Sequence, residues 1–179
     1  MNLPNKLTLL RIFMIPIFLF FTETEIVPYT YILATIIFVV ACLTDTLDGY
    51  LARKNNLVTN FGKLMDPLAD KLLVMSALIS LTASQRIPVW ITVVILSREF
   101  LVTSIRLIAA GNGKVIAADK WGKMKTISQM IWISLTLLNF TLCSYYIGFI
   151  CQILMYVTLF FTVFSGYNYV RNNLEVFKD

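Results

Sequence analysis

The sequence predicts an all-α integral membrane protein with six transmembrane helices, and three observations predict it. The chain of 179 residues is 58% hydrophobic and 14% charged, whereas a soluble domain carries about 25% charged residues. Its mean hydropathy is +0.77, which leaves too little polar surface to cover a soluble body of this size. Charge-poor segments of spanning length recur along it, and twelve of its fifteen lysines and arginines fall where those segments would place one common face.

A hydrocarbon core of about 30 Å needs roughly 20 apolar residues in a helix. In order, the candidate spans are Leu7–Phe21, Tyr29–Tyr50, Lys63–Ala83, Pro88–Ile108, Thr126–Leu142 and Ile147–Val170. The first resembles a signal-peptide core, but Thr22-Glu23-Thr24-Glu25 is a poor cleavage context. It reads as an uncleaved span preceded by a short interfacial turn at Leu3-Pro4-Asn5. The last two spans come from one run, Thr126 to Val170, of 45 residues without a formal charge. As one helix it would be about 67 Å long, so it must fold back, and Cys143-Ser144-Tyr145 is the expected turn. The seven glycines and five prolines mark no linker, so residues 1–179 are expected to form a single membrane domain.

Six spans put both termini on one side. That side collects Lys6, Arg11, Arg53, Lys54, Lys63, Arg106, Lys114, Lys120, Lys123, Lys125, Arg171 and Lys178, against Arg86 with Glu23 and Glu25 opposite. The positive-inside rule makes the cation-rich face cytoplasmic. The expected location is therefore the cell membrane, multi-pass, with both termini inside. The net charge of +5 is a topology signal that also suits anionic lipid or phosphate. No basic stripe interleaved with aromatics suggests nucleic acid. The three cysteines, Cys42, Cys143 and Cys151, form no CxxC pair and read as small buried hydrophobes rather than a disulfide framework.

Four aspartates interrupt this apolar pattern. Residues 45–70 contain Asp45, Asp48, Gly49, Ala52 and Arg53, then Gly62, Asp66 and Asp70, between the uncharged stretches Ile32–Leu43 and Leu72–Ala83. One carboxylate within a span costs about 2.5–3.5 kcal/mol on insertion scales, and four together repel unless cations sit among them. On helices, Asp45, Asp48, Gly49 and Ala52 share one face at i, i+3, i+4 and i+7, and Asp66 and Asp70 share another at i and i+4. Two neighbouring helices can then offer two carboxylates each to one point, with the cytoplasmic segment Lys54–Phe61 joining them. Hard oxygen donors in a chain without histidine favour Mg²⁺, Mn²⁺ or Ca²⁺ over zinc. Four carboxylates can bridge two ions, an arrangement suited to phosphoryl-type chemistry. Gly49, Ala52 and Gly62 leave backbone open to a close ligand, and Arg53 can fork onto a phosphate. Taken singly, each residue has a plainer reading. Asp45 or Asp48 could be an interfacial helix-end charge, Asp66 a favourable charge at a helix N-terminus, and Gly49 and Ala52 ordinary packing positions.

The pattern D-x2-D-G-x2-A-R-x8-G-x3-D-x3-D, matched here at every position, resembles the signature of the CDP-alcohol phosphatidyltransferases. That resemblance implies six helices around a cytoplasm-facing polar cavity, two Mg²⁺ or Mn²⁺ ions and a homodimer. It implies that Asp45, Asp48, Asp66 and Asp70 hold the metals and that Asp70 is also the general base. It further implies that Asp45, Gly49, Ala52, Arg53 and Asp66 line the CDP site; Thr8 and Arg11 are further candidates to close the nucleotide or the acceptor side, Thr8 being assigned to CDP binding. The segments Leu3–Arg11, Gly62–Lys71, Ser97–Glu99 with Arg106, and Gly122–Thr126 are similar to the branch that uses glycerol 3-phosphate. The implied reaction moves a phosphatidyl group from CDP-diacylglycerol to sn-glycerol 3-phosphate, giving phosphatidylglycerophosphate and CMP. A dianionic acceptor needs cations beyond those for CDP, and Lys71, Arg98, Arg106, Lys123 and Lys63 are the candidates. Alternatively, Arg98 pairs with Glu99 or a motif aspartate, and Lys123 and Lys125 anchor the cytoplasmic face. Three other functions stay open: the same transfer to serine or inositol phosphate, a membrane cation transporter or channel, and a prenyl-diphosphate enzyme.

Overall fold

Each apolar segment becomes one long helix in the computed structural model, which describes residues 3–24, 29–54, 60–111, 116 and 119–174, with side chains from 9–24, 29–44, 68–69, 71–111, 116 and 119–174. Among the described residues the regular structure is α1 (Leu3–Glu23), α2 (Thr30–Lys54), α3 (Asn60–Ala83), α4 (Val89–Gly111), α5 (Lys120–Leu142) and α6 (Tyr145–Asn172). The fold is all-helical. α6, at 28 residues and a mean hydropathy of 2.1, is long and apolar enough to cross a membrane, and Thr30–Thr44 and Lys71–Ala83 are shorter apolar helical stretches.

The expected fold-back is where the sequence placed it. α5 ends at Leu142, Cys143 takes a left-handed conformation (φ 46°, ψ 32°), and its N–H donates to the Asn139 carbonyl at 2.9 Å. The Asn139 side chain accepts from the Ser144 N–H at 3.0 Å, so one residue ties off both orphan groups of the turn. At the other early boundary the expectation fails. No turn occupies Leu3-Pro4-Asn5, because α1 already begins at Leu3. Pro4 is tolerated there since a first-turn N–H has no helical partner to lose.

α1 packs on α2 and α3, α2 on α5, α5 on α6 and α4 on α6, with looser contacts of α3 to α2, α4 and α5. The core is built where large residues meet small ones. Phe18 of α1 and Phe38 of α2 meet at 6.1 Å between ring centroids, beside the fully buried Ala34, Ala41 and Ala77 that let backbones approach. Trp132, Ile133 and Leu137 carry the core across to α5.

α6 shows which solvent this surface is made for. Its buried stripe runs Cys151, Met155, Thr158, Thr162, Ser165 and Tyr169, while Phe149, Ile153, Phe160 and Val163 face outward. Two of the inward hydroxyls are satisfied locally: Thr162 donates to the Thr158 carbonyl at 2.7 Å and Ser165 to that of Thr162 at 3.2 Å. Polar groups inside and apolar ones outside is the reverse of a water-soluble helix, whose apolar stripe faces the core.

Candidate active site

The aspartate motif lies on two touching helices. Asp45 and Asp48 belong to α2, which runs on to Lys54, and Asp66 and Asp70 belong to α3, which begins at Asn60; the two helices are in contact. Asp66 is the seventh residue of α3, beyond the first turn where a helix N-terminus favours negative charge, so that plainer reading of Asp66 is corrected. The side chains of Asp45, Asp48, Gly49, Ala52, Arg53, Asp66, Asp70, Thr8 and Lys63 lie outside the described set, and so does the connection 55–59.

One residue beyond Asp70 the described site begins. Lys71, half-buried, donates to the Thr103 hydroxyl, and Thr103 donates in turn to the Glu99 carbonyl at 2.7 Å, which ties α3 to α4. Glu99 is the organising group. Its Oε1 accepts from Lys125 Nζ of α5 at 2.5 Å and from its neighbour Arg98 Nη1 at 3.0 Å. The side chains are 19%, 3% and 13% exposed for Glu99, Lys125 and Arg98, so these are largely desolvated pairs. Removing one partner of such a pair costs about 3–5 kcal/mol.

Arg98 is held on its other edge as well. Nη2 donates to Ser165 Oγ of α6 at 3.0 Å, and the chain passes two glycines. A Cβ at Gly166 would lie 3.1 Å from Arg98 Cγ, and one at Gly122 would lie 3.4 Å from Nη2. The pairing of Arg98 with Glu99 is present here, while the motif aspartates, its other partners considered from sequence, lie outside the described side chains.

Between α3, α4 and α5 these groups enclose a cavity of about 40 Å³, bordered by Lys71, Glu99, Lys125 and Gln129 with Leu78 and Ile95 at its apolar end. A much larger cavity of about 1010 Å³ opens at the opposite end of the bundle, around Arg86, Asn139 and Tyr145. It lies by the α3–α4 and α5–α6 turns, away from the aspartates, so size alone is a poor guide to the chemistry in this molecule.

The expected cation set is therefore only partly assembled. Lys71 and Arg98 converge with Lys125 around Glu99. Arg106 sits two turns along α4, where its Nε donates to Tyr169 Oη at 3.1 Å and its guanidinium lies 5.5 Å from the Tyr169 ring centre. Lys123 is exposed, and it is Lys125 that turns inward. Gln129 is the residue that sequence reasoning missed, and Lys125, weighed there together with Lys123, is the one of the two that lies on the buried face. The signal was helical phase: Lys125, Gln129, Trp132 and Thr136 follow at i, i+4, i+7 and i+11, on the buried face of α5, whereas Lys123 is two residues out of step. Glu99 was weighed only as a partner for Arg98, although it is the sole acid between Lys71 and Ala118 and stands inside an apolar segment.

Comparison with known proteins places the aspartate signature in a family. The model of the CDP-alcohol phosphatidyltransferase family matches residues 1–164. The chain is 46% identical over 191 residues to the CDP-diacylglycerol--glycerol-3-phosphate 3-phosphatidyltransferase of Bacillus subtilis, covering 99% of this chain and 97% of that one. It is 38% identical to the protein of the same name from Rickettsia typhi, covering 95% and 96%. To the Probable phosphatidylglycerophosphate synthase of Mycobacterium tuberculosis strain H37Rv it is 41% identical, covering 97% and 82%. With the full aspartate signature on two touching helices and a family match over nearly its whole length, the chain belongs to the CDP-alcohol phosphatidyltransferases, an enzyme family, and is closely related to its phosphatidylglycerophosphate synthases.

Proposed function

We propose that this enzyme transfers the phosphatidyl group of CDP-diacylglycerol to sn-glycerol 3-phosphate, producing phosphatidylglycerophosphate and CMP. The observation that carries the acceptor is the meeting of three cations, Lys71, Arg98 and Lys125, around Glu99, beginning one residue from Asp70. Glycerol 3-phosphate is a dianion that such cations can bind, and an alcohol such as serine brings no phosphate for them. The relatives named for this reaction, aligned along almost their full length, support the same choice.

The donor set suits two divalent metal ions: Asp45, Asp48, Asp66 and Asp70 supply four hard carboxylates from two contacting helices, in a chain that has no histidine. Bound Mg²⁺ or Mn²⁺ would neutralise the diphosphate and stabilise the departing CMP. The rest of the work falls to the protein. Gly49 and Ala52 let the CDP group approach the α2 backbone, and Arg53 grips a phosphate oxygen, with Thr8 at the nucleotide's edge. Lys71 and Lys125 hold the acceptor phosphate, with Arg98, Arg106, Lys123 and Lys63 adding to the positive field. Asp70 takes the proton of the acceptor's 1-hydroxyl as that oxygen bonds to the β-phosphorus. The bond from that phosphorus to the CMP oxygen then breaks, without a covalent enzyme intermediate.

The six helices are all membrane spans in this reading. Each has at least 21 residues, about 31 Å or more at 1.5 Å per residue, and the outward apolar face of α6 supports the same solvent for its neighbours. Both termini and the aspartates lie on the cytoplasmic side, residues 1–179 form one membrane domain, the lipid tails stay in the bilayer, and two copies form a homodimer.

The test is CMP release from CDP-diacylglycerol and Mg²⁺ by purified protein, with glycerol 3-phosphate, serine, inositol or inositol phosphate supplied separately. Release with glycerol 3-phosphate alone is expected. Release only with another alcohol would overturn the acceptor, and no release from folded protein would return the aspartates to ion transport.

A further inference from the structure

The cavity beside Lys71 contains one polar group that the reaction above does not use. Gln129, one turn from Lys125 on α5, is 2% exposed, and its Nε2 has no hydrogen-bond partner. A buried amide donor left unpaired is costly, and native interiors rarely leave one without a reason. Gln129 borders the same space as Glu99, whose two recorded cation partners both sit on Oε1, which leaves Oε2 as an acceptor. The cavity thus offers one unused donor and one unused acceptor side by side on its lining.

We propose that Gln129 is a specificity-determining residue that reads the secondary hydroxyl of the acceptor. This rests on the acceptor being glycerol 3-phosphate. A hydroxyl both accepts and donates, so it takes the Gln129 Nε2–H and gives its own hydrogen to Glu99 Oε2. The cavity itself, about 40 Å³, holds two or three water-sized groups, room for a CH–OH and not for a phosphate with its four oxygens.

The test compares glycerol 3-phosphate with 3-hydroxypropyl phosphate, which lacks only that hydroxyl, as acceptors for CMP release by the full-length enzyme in detergent. The wild type is expected to favour glycerol 3-phosphate in kcat/KM by about tenfold, the scale of one buried hydrogen bond whose loss strands its partner. In Gln129→Leu that ratio is expected to fall to about one, with glycerol 3-phosphate losing its advantage. A wild-type ratio near one overturns the proposal and needs no variant. So does a Gln129→Leu enzyme that slows with both acceptors and keeps the wild-type ratio, since that is the signature of a purely structural glutamine. Failure of the acceptor reading itself looks different, because the wild type would then release CMP with neither compound.

Discussion

Glu99→Gln tests whether one carboxylate organises the acceptor pocket. The substitution keeps the shape of the side chain and one carbonyl acceptor while removing the charge that faces Lys125 at 2.5 Å and Arg98 at 3.0 Å. Both cations are largely buried, at 3% and 13% exposure, so little water can replace the lost partner. Breaking a buried pair costs about 3–5 kcal/mol, and the amide oxygen that remains argues for the lower end, about 3 kcal/mol. For a chain of this length that is about 6–12 °C in apparent Tm. The assay is thermal unfolding of the detergent-solubilised protein, run with Lys125→Met and with the double variant. If Glu99 acts chiefly through Lys125, each single change destabilises by a similar amount, and the double variant falls short of their sum by about 2 kcal/mol, because the second substitution no longer strands a charge. Strict additivity, or a Glu99→Gln protein melting within about 2 °C of the wild type, would refute the reasoning. The two cations would then be stabilised by groups other than Glu99.

Three further outcomes are expected. Asp70→Asn should lower kcat by about 10²–10⁴, the range for a lost general base, while CDP-diacylglycerol binding stays near wild type; an equal loss of binding would make Asp70 a ligand only. Gly166→Ala should destabilise by about 1–3 kcal/mol through overpacking, because its Cβ would sit 3.1 Å from Arg98 Cγ, and Gly122→Ala, whose Cβ would lie at ordinary contact distance, 3.4 Å, from Arg98 Nη2, should cost less in the same melting experiment. Chelation of divalent ions should abolish CMP release, with Mg²⁺ or Mn²⁺ restoring it; activity that persists in excess chelator would remove the metals from the mechanism.

The helices were legible in the sequence because apolar run length is a strong signal in a chain built for lipid. The α5–α6 turn was legible for a sharper reason. Forty-five uncharged residues cannot run straight through one bilayer, and Cys143–Ser144 is where the run breaks. Boundaries were less legible, and the error has one cause. The fifth span was started at Thr126 to keep cations out of it, yet α5 begins at Lys120. A helix does not end where hydrocarbon ends, since its hydrogen bonds run on into the polar region while lysine side chains reach toward water. The same habit hid Lys125: grouped with Lys123 as a flank charge, it belongs by phase to the buried face of α5. The aspartates stood out because four carboxylates so close together have few cheap explanations. Glu99 did not, because its partners come from two different helices, and no spacing within one segment announces a contact between α4 and α5.

The pocket raises a question of charge: why a site meant for an anion should keep a carboxylate at its centre. Cations gathered in a largely desolvated place without a counter-ion would repel one another and pay a desolvation cost with no return until substrate arrived. Glu99 lowers that cost in the resting enzyme and fixes Lys125 and Arg98 in place. A dianionic acceptor would bring these cations further counter-charge when it binds. By this argument a serine or inositol enzyme on the same helices would need fewer cations around Glu99, or none, and Glu99 together with Lys125 is the pair whose exchange would be required to change the acceptor.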